Sequence, residues 1–134
     1  MPDNVILAKV AIIERCVKRA REELAASGDF ETDYTHQDAA VLNVERACEA
    51  AIDIANRIVR IRGLGVQVSN RDAFDKLQEA LLIDPVLCSK LKSMVGFRNI
   101  ATHKYDELDP AVVRAVIEKD LDDLLKFGSL SLRL

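Results

Sequence analysis

Residues 35–63 read THQDAAVLNVERACEAAIDIANRIVRIRG, and this stretch decides the fold class. Thr35, followed three residues later by Asp38, resembles a capping box with Asp in place of the usual Glu. From there the apolar pattern predicts one long helix through Leu42, Ile52, Val59 and Ile61 that stops at Gly63, a residue suited to a helix C-terminus. Arg57, Arg60 and Arg62 fall at its basic end, where the helix dipole favours cations, and that role is preferred over nucleic-acid contact.

Further helices flank this one. Before it, Ile6, Val10, Ile13, Val17, Ala20 and Leu24 repeat every three or four residues, which predicts an amphipathic helix starting after Asp3 or Asn4 and running to about Ala26. Ser27-Gly28-Asp29 ends it, and the acidic stretch to Asp33 reads as an exposed loop anchored by Phe30 and Tyr34. After it, Gly63-Leu64-Gly65 leads to Ser69, which with Asp72 caps a short helix ending near Leu82. That loop lacks the Gly-Lys-Ser/Thr or third glycine of a phosphate-binding loop. Asp84-Pro85 and Asp109-Pro110 each pair an N-cap with a proline at the first helical position. They open a fourth helix carrying Leu87, Leu91, Met94 and Val95, and a terminal one holding Val113, Val116, Ile117, Leu121, Leu124 and Leu125. The expected architecture is all-α: an up-and-down bundle of four main helices plus a short one, in a single domain spanning 1–134.

Composition agrees. The 134 residues are 49% hydrophobic and 31% charged, with five Gly, three Pro and no Trp, as in a helical bundle. No apolar run is long enough for a membrane span and no secretory leader is visible, so a cytoplasmic protein is expected. Cys16, Cys48 and Cys88 lie far apart, without zinc-ligand spacing, and read as buried thiols. A net charge of -3 argues against general coating of duplex DNA. Between Pro85 and Tyr105, however, Lys90, Lys92, Arg98 and Lys104 stand without an acidic residue, a local basic face on an acidic chain.

That face ends in Gly96-Phe97-Arg98-Asn99-Ile100-Ala101-Thr102-His103-Lys104-Tyr105, where an Arg, an Asn, a His and a Tyr crowd together. At about 100° per residue Asn99 and His103 share a helix face, while Arg98 lies roughly 140° from His103. Joint action of Arg98 and His103 then requires the helix to loosen near residues 101–104, the arginine to reach around, or a second chain to complete the site. On the residues alone, a His near a helix end is more often a cap or a hydrogen-bonded surface residue than a catalyst, although imidazole is the side chain best suited to proton transfer at neutral pH. His36, beside Thr35 and without a second ligand at metal spacing, reads as a surface or cap residue.

The pattern Arg98, four residues, His103, one residue, Tyr105 matches the R-x4-H-x-Y signature of the HEPN family, with Asn99 as the usual polar companion. The resemblance covers most of the chain. Residues Asn43 to Asn56 resemble the long second helix of HepT toxins, Ser69 to Phe74 their third, and Met94 to Asn99 the lead into their active site. It implies a helical homodimer acting as a metal-independent endoribonuclease, without a cofactor, in a type VII HEPN/MNT toxin–antitoxin system. Arg98 and His103 would be the catalytic pair, with Asn99 in support. Tyr105 would be the residue to which an MNT-type nucleotidyltransferase antitoxin adds AMP, and Lys104 and Lys92 would be candidate RNA contacts. The alternative is a non-catalytic HEPN docking partner of a nucleotidyltransferase, which would have no chemical need for the intact Arg98/Asn99/His103/Tyr105 set.

Overall fold

The structure is a computed structural model and describes residues 3–134. Every regular element among them is helical. α1 (Asn4–Ala26) and α2 (Tyr34–Ile61) form an antiparallel spine, followed by the short α3 (Asn70–Glu79) and by α4 (Pro85–His103). A 3-10 turn over Tyr105–Glu107 leads to α5 (Pro110–Ala115), a π-turn (Val116–Asp120) and α6 (Leu121–Ser131), which continue one another.

Local chemistry explains most starts and stops. The Asp3 carboxylate accepts from the Val5 and Ile6 N–H groups at 2.9 and 3.1 Å and so caps α1. The same carboxylate takes the fork of Arg57 at 2.8 to 3.2 Å, tying the start of α1 to the end of α2. Arg57 thus serves an ion pair rather than only the helix dipole. Ser69 and Asp72 form the expected capping box, and Asp84 and Asp109 cap α4 and α5 ahead of their prolines.

Four expectations need correction. The cap of α2 is Asp33, whose side chain accepts from the His36 N–H at 3.1 Å, and not Thr35. Asp33 wins because Ser27 Oγ also donates to it at 3.0 Å, fixing the loop end two residues before Thr35. Phe30 anchors that loop at 0% exposure, but Tyr34 is 73% exposed and anchors nothing. The terminal helix is not a plain α-helix, because the wider π-turn brings both Val116 and Ile117 into the core while Glu118 and Lys119 stay outside. α3 also ends at Glu79, short of Leu82, and Leu81 turns the chain with φ of 62°.

α2 is the central element. Its buried residues surround it, with alanines at 40, 47, 50, 51 and 55 that let neighbouring helices approach closely. Leu42 and Ile61, read from the sequence as part of its apolar repeat, are exposed. Phe74 of α3 meets Phe127 of α6 edge to face, ring centroids 5.6 Å apart, and joins the two sides of the core. Cys16, Cys48 and Cys88 are buried free thiols, as the sequence led us to expect. No helix among the described residues is long and apolar enough to cross a membrane.

Candidate active site

α4 continues unbroken through Arg98, Asn99 and Thr102 to His103, so the helix does not loosen before the histidine. It stops at Lys104, whose backbone leaves the helical region at φ -139° and ψ 46° while its N–H still reaches Ile100 O at 2.8 Å. Glu107 N–H to Lys104 O and Leu108 N–H to Tyr105 O then close the 3-10 turn at 2.8 and 3.0 Å. That turn swings Tyr105 back toward α2.

Three polar pairs join the end of α4 to one stripe of α2. Arg98 Nη2 contacts Glu49 Oε1, Thr102 Oγ1 donates to Glu45 Oε2 at 3.1 Å, and the Tyr105 hydroxyl donates to Asp38 Oδ1. Asp38, Glu45 and Glu49 are spaced seven and four residues apart, so they share a face of α2. Arg98 and Thr102 share the facing side of α4 for the same reason. Asp38 therefore spends its carboxylate on Tyr105 and not on a capping box with Thr35.

Arg98 is nonetheless not confined to that ladder. Its Nη1 donates to Asn99 Oδ1 at 3.1 Å, and Asn99 stands four residues before His103 on one helix face. Asn99 and His103 are both exposed there. Arg98 Nε is buried and has no hydrogen-bond partner on the protein. Glu49 Oε1 also lacks an aligned hydrogen bond, being held by its charge contact with Nη2.

Arg71 is a cation on that face that no sequence pattern announced. Lys92, Gly96, Asn99 and His103 follow one another at helical spacing, and the Arg71 side chain from α3 lies across Gly96 with Nε 3.4 Å from Lys92 O. A Cβ at Gly96 would stand 2.7 Å from Arg71 Nη2, so the missing side chain is what admits the guanidinium. Lys92 itself is paired with Asp75 at 2.9 Å, and Lys90 with Asp123 at 3.7 Å. Lys104 is exposed at the helix end.

The remaining titratable groups narrow the chemistry. Burial pushes the Cys48 thiol, next to Glu49, up to about 12, so it is no nucleophile. Burial and the Asp38 hydrogen bond hold the Tyr105 phenol well above its ordinary value. His36 lies on the α1 side of α2, its ring Nδ1 2.5 Å from Glu23 Oε2, away from the ladder facing α4. The sequence signal that could have revealed the α2 partners is the spacing of Asp38, Glu45 and Glu49, which marks a polar stripe on an otherwise buried helix.

Comparison with known proteins identifies the family and the fold. The family described as Ribonuclease HepT-like matches residues 10–129. The chain is 43% identical over 125 residues to the mRNA nuclease HepT of Shewanella oneidensis, covering 93% of this chain and 94% of that protein. It is 25% identical over 107 residues to the tRNA nuclease HepT of Aphanizomenon flos-aquae, covering 79% and 73%. Among solved structures, the tri-AMPylated Shewanella oneidensis HEPN toxin in complex with MNT antitoxin superimposes with a TM-score of 0.91 at 42% identity, over 96% of each chain. A toxin–antitoxin crystal structure with AMP-PNP gives 0.91 at 41% identity, over 96% of this chain and 98% of that one.

Proposed function

The chain belongs to the Ribonuclease HepT-like family, and from that membership we propose that it is the toxin of a HEPN/MNT pair: an endoribonuclease whose Arg98 and His103 act on one phosphodiester, silenced when a nucleotidyltransferase antitoxin adds AMP to Tyr105. The observation that carries this reading is the arrangement of Arg98, whose guanidinium bridges Glu49 of α2 and Asn99, a residue four positions before the exposed His103 on the same helix face.

Cleaving RNA without a metal requires the adjacent 2′-hydroxyl to lose a proton while the leaving oxygen gains one, which is work for an imidazole. Arg98 offers a planar, permanently charged fork to the phosphate. Arg71, seated on Gly96, and Lys104 add charge along the strand's path. Lys92, shared with Asp75, contributes less. Each chain brings one histidine to the motif, so a two-fold dimer supplies both acid and base by setting the two His103 side chains on one cleft. Leu42, in the α2 stripe, and Ile100, beside His103, are 45% and 41% exposed and provide apolar surface for that contact. AMP on Tyr105, on the ladder that also holds Arg98, would place bulk and a phosphodiester charge where the substrate phosphate belongs.

Incubation of the purified protein with RNA and a chelator tests the reading. We expect cleavage that leaves 2′,3′-cyclic phosphate ends, and loss of cleavage in His103→Ala with helix content unchanged. Full activity in that variant removes the assignment, and strict dependence on added magnesium removes the metal-free route.

A further inference from the structure

The Tyr105 hydroxyl is donated to Asp38 Oδ1, a carboxylate 67 residues away in sequence. This contact ties the 3-10 turn to α2, and among the described residues it is all that engages the Asp38 carboxylate. Asp38 caps no helix, and among the described residues it meets no cation and no other hydrogen-bond donor. The phenol is 41% exposed, open to a reagent from outside. Its backbone is fixed by the 3-10 turn, so hydroxyl and carboxylate are held together before any partner arrives.

Resting on the reading that Tyr105 is the modified residue, we propose that the toxin supplies the base for its own modification: Asp38 accepts the phenolic proton as the Tyr105 oxygen attacks the α-phosphorus of ATP bound to the antitoxin. The oxygen–phosphorus bond forms, the bond from that phosphorus to the β-phosphate oxygen breaks, and pyrophosphate leaves with the electron pair. The proton passes to the Asp38 carboxylate and from there to solvent.

The electrostatics favour a base that acts during the reaction over a phenolate formed beforehand. Asp38 and Glu45 face the phenol from α2, and Asp106 and Glu107 follow it in the same turn, with Lys104 and His103 preceding it. Burial, the Asp38 hydrogen bond and the charges of Asp38 and Glu45 keep the phenol protonated in the resting protein. A neutral phenol is a weak nucleophile, so its proton must leave as the new bond forms, and the group already holding that proton is Asp38.

The test uses the intact toxin, its cognate nucleotidyltransferase, ATP and magnesium, with AMP addition followed by intact mass. Asp38→Asn keeps an oxygen that accepts the same hydrogen bond but cannot take the proton. We expect the initial rate of AMP addition to fall about 100-fold near neutral pH, as for loss of a general base. The rate should climb with pH as hydroxide takes over, while complex formation with the antitoxin is unchanged. Asp38→Glu should restore part of the rate with the wild-type pH profile. Wild-type speed in Asp38→Asn, or a slow rate with an unchanged pH profile, overturns the proposal. Equal modification of wild type and Tyr105→Phe, or none of the wild type, removes the Tyr105 reading and this proposal with it.

Discussion

Gly96 lacks the methyl group that would stand 2.7 Å from the Arg71 guanidinium, yet it lies inside a helix, where glycine is less stable than alanine by roughly 0.5–1 kcal/mol. A residue that weakens its own helix while admitting a cation onto the His103 face is best understood through that cation. Gly96→Ala should raise the melting temperature, because the obstructed atom is the flexible end of a side chain, and should weaken RNA binding several-fold. Arg71→Ala should weaken binding to a similar extent, so a melting curve and a binding titration on both variants check the link. Unchanged RNA affinity in the two variants would show that the seat is only packing. At this scale much of the site was legible, since Arg98, Asn99, His103 and Tyr105 are set by their own spacing. Arg71 was not, because its place depends on how α3 lies on α4. Thr35 and Asp33 are both capping residue types, and only the Ser27 contact, which no local pattern announces, selects Asp33.

Between elements, the tie of α1 to the start of α2 runs through His36, set between Glu23 at 2.5 Å and Asp33 at 3.7 Å. Hydrogen bonding to Glu23 raises the His36 pKa above its ordinary value, against the opposing effect of desolvation. The folded-state value therefore exceeds the unfolded one of about 6.5, so this tie stabilises fully below about pH 6.5 and fades as pH rises through the folded value. His36→Gln should flatten the pH dependence of the melting temperature between about pH 5.5 and 8, and an unaltered slope would remove His36 as its source. Helix starts were legible where a cap and a proline stand together, as at Asp84-Pro85 and Asp109-Pro110, because those signals are local. The π-turn over Val116–Asp120 was not, because the apolar spacing around it also suits an ordinary helix and the wider turn answers to packing on the core.

For the whole molecule, α2 is both the centre of the core and one wall of the site, so stability and chemistry share an element. The Phe74–Phe127 contact closes the core on the far side, and Phe127→Ala should cost about 3–5 kcal/mol in a urea titration. A cost under about 1 kcal/mol would mean that α6 is peripheral. The ladder from Asp38, Glu45 and Glu49 to Tyr105, Thr102 and Arg98 exists only at this scale, its halves 49 to 67 residues apart. The spacing of Arg98, His103 and Tyr105 points to two members of one half, and tertiary packing supplies their carboxylate partners. The most direct test of the account is single-turnover RNA cleavage by Arg98→Ala, His103→Ala and the double variant. If guanidinium and imidazole serve one phosphodiester, each single change should lower the rate about 10²–10⁴-fold, and the double variant should be little slower than the worse single one. Wild-type cleavage by His103→Ala, or losses that multiply as for independent sites, would contradict it.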